Sequence, residues 1–101
     1  MKLLDADAIV RSKDAGPFRI TLDVIFQNRA QFEQMRDARV WTREHLASLY
    51  QISPERISHC LVYEPANAFK CTFQRDVSSG AFGDTDIYGS QEHLPLYTIE
   101  F

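Results

Sequence analysis

No apolar run in this 101-residue chain approaches the roughly 20 residues a membrane-spanning helix requires, so a membrane partner is not expected. A basic excess is missing as well. Eleven lysines and arginines are scattered among 14 acidic residues, giving a net charge of −3. A nucleic-acid-binding domain carries a basic stripe, and none is visible, so nucleic acid is not an expected partner either. The first eight residues hold Asp5 and Asp7 where a signal peptide would have its apolar core, which predicts a cytoplasmic protein. Cysteine is scarce. In that compartment Cys60 and Cys71 are expected to be reduced thiols acting as small buried hydrophobes.

Catalytic signatures are sparse too. Ser78-Ser79-Gly80 lacks the strand–elbow–helix setting of a nucleophilic serine. Gly80 and Gly83 form neither a dinucleotide nor a P-loop motif. Asp84, Asp86 and His93 match neither zinc spacing nor the calcium loop, so no metal site and no cofactor are expected.

What is present is enough for one packed domain over residues 1–101, with 45% hydrophobic and 12% aromatic residues. From Phe18 to Phe26 the alternate residues Phe18, Ile20, Leu22, Val24 and Phe26 are apolar, and the intervening ones are mostly polar. That alternation predicts a strand with one buried face. Asp23 falls within it and, if enclosed, needs a partner such as Arg11, Lys13 or Arg75.

Asn28 is a candidate N-cap for a helix over 29–38 with Phe32 and Met35 inward, and Thr42 for a second over 43–50. Ser53-Pro54 opens a short turn over 54–57. Residues 58–64 and 67–74 read as two strands joined by a tight turn at Glu64-Pro65-Ala66-Asn67. A turn centred there pairs 62 with 69 and places Cys60 opposite Cys71 on one face. A short helix is expected over 3–10, a loop over 11–17, and a closing strand over 96–101. The expected fold is α+β: a mostly antiparallel sheet of about four strands with two or three helices packed on it.

Two polar segments could carry chemistry. Arg11, Ser12, Lys13, Asp14 and Gly16 offer cations, a hydroxyl and bare backbone, the donors that a carboxylate or phosphate requires. The alternative is a solvated loop with a structural corner. The second segment, 83–93, brings together Asp86, Tyr88, Gly89, Gln91 and His93. His93 could act as general acid or base, with Asp86 orienting it and Tyr88 or Gln91 positioning a ligand. The alternative is a loop pinned by its own side chains.

The runs Arg11 to Phe18, Thr21-Leu22-Asp23, Glu64-Pro65-Ala66 and Asp86 to Pro95 resemble the uncharacterised small-domain family that accompanies AtuA-like acyclic terpene utilisation proteins. The resemblance covers essentially the whole chain. Members of that family often carry Asn at the position of Asp14 and Asp at that of Glu64, and the first difference makes this corner less cationic. In the family the domain is free or joined to the C-terminal side of the large AtuA-like protein. The resemblance implies an accessory subunit or docking domain for an AtuA-like partner, contributing the 11–17 and 84–93 segments to a composite site for a carboxylate or acyl thioester. Two alternatives stand beside it. One is a stand-alone lyase or hydratase using His93, with Arg11 and Lys13 holding the anion. The other is self-association of the chain through sheet edges into a homo-oligomer.

Overall fold

The computed structural model describes residues 1–16, 18–74 and 93–101. Strands β1 (Ala8–Asp14), β2 (Arg19–Phe26), β3 (Ile57–Tyr63) and β4 (Ala68–Gln74) form one antiparallel sheet in the order β1-β2-β4-β3. Helices α1 (Arg29–Asp37) and α2 (Arg43–Tyr50) pack on one side of it. The fold is therefore α+β, as expected. No helix among the described residues is long and apolar enough to cross a membrane.

Local chemistry accounts for most of these elements. The Asn28 side chain accepts from the Gln31 amide and the Thr42 side chain from the His45 amide, so both helices start where a side-chain acceptor satisfies a free N–H. Ile20, Leu22, Val24 and Phe26 of β2 all face the helices and are buried. Phe69 lies at the centre of the core, with ring centroids 5.9 Å from Phe26, 5.0 Å from Phe32 and 5.6 Å from Trp41. The hairpin has the expected register: Val62 opposes Phe69 and Cys60 opposes Cys71. Its turn, Glu64–Ala66, ends on Asn67 in the left-handed conformation at φ 53°. Arg29 and Arg36 of α1 both hold Glu64, at 3.4 and 2.7 Å, and Arg29 also donates to the Asn67 side chain. The Arg36 guanidinium is pushed further up by its bonds to Asp37 and Glu64.

Two stretches differ from the sequence expectation. Residues 3–10 are not one helix: a single 3-10 turn, Leu3–Asp5, gives way to β1, which also takes in Arg11 to Asp14 from the expected loop. An outer partner for β2 satisfies the ladder groups of the most apolar strand, and this outweighs a weak helical pattern. Residues 96–101 are not a strand. Leu94–Thr98 is a 3-10 turn, and only Glu100 bridges, to Lys2. Leu96 and Ile99 are both buried, and their spacing of three suits such a turn rather than strand alternation.

Candidate functional site

Because residues 11–14 are strand, their side chains alternate between the two sides of the sheet. Ser12 points to the helix side and is only 8% exposed, while Arg11 and Lys13 leave by the opposite side. The Ser12 hydroxyl accepts from the His93 backbone N–H at 3.1 Å and lies 3.3 Å from His93 Nδ1. The His93 ring meets Tyr97 edge-on at 5.7 Å. Of the early corner, it is thus Ser12 that touches His93. Strand alternation sends the Arg11 and Lys13 side chains to the other side of the sheet from Ser12.

A serine beside an imidazole contains the residue types of a nucleophile and its base. Here the hydroxyl is nearly enclosed and occupied with a backbone amide, so the pair works as a clamp joining residue 93 to β1. Ser12→Ala is expected to lower unfolding stability by about 1–2 kcal/mol, the cost of leaving a part-buried donor unmade. Urea denaturation followed by circular dichroism measures it.

Asp14 lies on the Ser12 side of β1, opposite Ile20 of β2. Gly16 sits in the corner at φ 121°, a conformation closed to side-chain-bearing residues at low cost. Beside it is an open depression of about 360 Å3 lined by Ala15, Gly16, Phe18, Arg19 and Gln74. That size is at the lower end of small-ligand sites. The remaining expected site residues, Asp86, Tyr88, Gly89 and Gln91, lie outside the described residues, as does Asp84.

The side of the sheet away from the helices carries a constellation that sequence reasoning only half anticipated. Arg11, Asp23, Lys70 and Leu61 form one row across all four strands. Asp23 is 1% exposed although no described helix covers it. Arg11 Nε donates to Asp23 Oδ2 at 3.1 Å, and Lys70 Nζ lies 3.8 Å from Oδ1. Among the described residues Oδ1 accepts no hydrogen bond. Arg11 was a foreseen partner of Asp23; Lys70 was not.

The next row places Lys13 beside Thr21, Thr72 and His59, and the two threonine hydroxyls meet at 3.2 Å. Arg19, opposite Gln74, extends the same side. Among the described residues, four cations (Arg11, Lys13, Arg19, Lys70) thus share a face with a single carboxylate, a net of three positive charges on a chain of net charge −3. Lys13 and Arg19 make no ion pair among the described residues. Ile9, Leu61 and Tyr63 add exposed apolar surface on this side, each about half-exposed. The signal available in the sequence was the two-residue spacing of Arg11 and Lys13 and of Arg19, Thr21 and Asp23, legible only once 8–14 is known to be strand.

The Glu64-Pro65-Ala66 run has a structural explanation: it is the hairpin turn held by Arg29 and Arg36. No curated protein and no solved structure matches the chain. A family model described as Domain of unknown function (DUF4387) matches residues 3–100. With nearly its whole length matched, this chain belongs to the DUF4387 family.

Proposed function

We propose that the domain is an accessory module that docks, through the sheet face opposite α1 and α2, onto an acidic surface of a larger AtuA-like protein. The observation that carries this reading is the charge separation: three net positive charges on one face of a chain that is negative as a whole. Such a face steers an acidic partner and repels copies of itself. Ile9, Leu61 and Tyr63 supply apolar contact, and tyrosine with arginine is the side-chain mixture enriched at protein interfaces. Docking would bring the partner over the β1 margin, where Ser12 holds His93 and where the Gly16 corner lies. A carboxylate or acyl thioester would then bind between module and partner, since the depression beside Gly16 is too open to enclose it alone.

Co-expression with the AtuA-like protein tests this directly. The two are expected to co-purify at low salt and to separate as ionic strength rises, because exposed charges are screened beyond about 10 Å at 0.1 M salt. The contact between Ser12 and His93 favours one other reading, an enzyme in its own right with His93 as acid or base. Turnover of a hydroxy acid or enoyl thioester by the isolated chain, lost in His93→Ala, would establish that reading instead.

A further inference from the structure

Cys60 and Cys71 are directly opposed on neighbouring antiparallel strands, on the helix side of the sheet, and neither is in a disulfide. Opposed residues of an antiparallel pair have Cβ atoms about 4.5–5.5 Å apart, close to the roughly 3.5–4.5 Å of a disulfide, so closure needs only a small approach of the strands. The sheet can supply it here. Among the described strands β3 lies at the edge, and its register shifts between Ile57 and His59, immediately before Cys60. Edge strands and bulges are where a ladder deforms most readily.

We propose that Cys60 and Cys71 form a redox dithiol that closes to a cross-strand disulfide when it meets a small-molecule disulfide oxidant. Access separates the roles. Cys60 is half-buried on the edge strand and meets the oxidant; Cys71 is buried on an inner strand and resolves.

Cys60 is also the better nucleophile. The Cys71 thiol bonded to it pulls its pKa down, aided by the Arg43 charge and opposed by burial and Glu44. Cys71 is pushed far up, first by its bond to Cys60 and then by burial.

In the first step the Cys60 thiolate attacks one sulfur of the oxidant, forming a mixed disulfide and expelling the other half as a thiolate. That step removes the Cys60 group that held the Cys71 proton in place. Cys71 then loses its proton and attacks the Cys60 sulfur, expelling the second half of the oxidant as a thiol. The chain loses two protons and two electrons, which together turn one oxidant disulfide into two thiols. Closure also removes the Cys60 S–H that approaches the Trp41 carbonyl at 3.8 Å, so the sole tryptophan reports on it.

The test is to equilibrate the folded full chain with mixtures of oxidised and reduced glutathione, quench with an alkylating agent, and measure intact mass. The expected product is a monomer lighter by two hydrogens that takes up no alkyl group, with a non-reducing peptide map joining Cys60 to Cys71. Trp41 emission should change along the same titration curve. In Cys71→Ser the mixed disulfide on Cys60 should accumulate; Cys71→Ala serves if that variant misfolds. Glutathione retained on Cys60 of the unmodified chain with Cys71 still alkylatable would overturn the proposal. So would two alkylated thiols at every ratio, or linkage only between chains.

Discussion

Phe69→Ala should lower unfolding stability by about 3–5 kcal/mol, a large share of what a domain of this size possesses. Phe69 is fully buried, and three aromatic rings from β2, α1 and the segment before α2 converge on it. No neighbour can close over the space, because Phe26, Phe32 and Trp41 are each fixed by other contacts. Phe26 also packs on Phe101 at 5.9 Å, and Trp41 donates its indole N–H to the Lys70 carbonyl at 3.0 Å. The cavity cost therefore adds to the transfer cost. At about 4–8 °C per kcal/mol for a domain of this length, Tm should fall by about 12–40 °C. Val62 provides the control. It faces Phe69 in the register but is 42% exposed, so Val62→Ala should cost under about 1 kcal/mol. Thermal denaturation of the two variants checks both values, and similar melting temperatures would contradict the placement of the core.

The second large effect concerns Asp23. Arg11→Ala together with Lys70→Ala strips an enclosed carboxylate of both the cations that pair with it among the described residues, and should cost about 2–4 kcal/mol. The figure lies below that of a fully buried pair because Arg11 is 54% exposed and its attraction is partly screened. Adding Asp23→Val to the double variant should recover most of the loss, since a β-branched residue suits the strand and no charge then remains to be solvated. A cycle of urea denaturation measurements separates the terms. If the triple variant is no more stable than the double, Asp23 is not held by its neighbours' charge. Asp23→Val alone should leave the fold intact and release Arg11 and Lys70 from a shared anchor. Its place on the sheet thus serves to align two cations outward.

The parts of this fold legible in the sequence are those whose signals are local. The alternation of β2, the caps Asn28 and Thr42, and the Glu64–Asn67 turn each fix their own element, and the hairpin register follows from its turn. β1 was not legible because its inward positions include Ser12, so its apolar residues do not alternate and resemble a short helix. The segment ending at Phe101 was misread for a related reason: Leu96 and Ile99 carry a spacing of three that is hard to see in six residues. These two misreadings hid the candidate site. With 11–14 taken as a loop, Arg11, Ser12 and Lys13 looked like one cluster; as strand they divide between a clamp on His93 and a basic face. That face draws its cations from three strands, and no window of sequence contains them all.

The most direct measurement is the affinity of the chain for the proposed AtuA-like partner, by isothermal titration, against a Lys13→Glu/Arg19→Glu variant. These two residues lie on the exposed sheet face outside the packed core and, unlike Lys70, away from the enclosed Asp23 carboxylate, so the variant should keep its melting temperature within a few degrees. The face changes from net positive to net negative, and like charges meeting across an interface cost several kcal/mol, so binding should weaken by about 100-fold or more. An affinity unchanged by both reversals would contradict docking through this face.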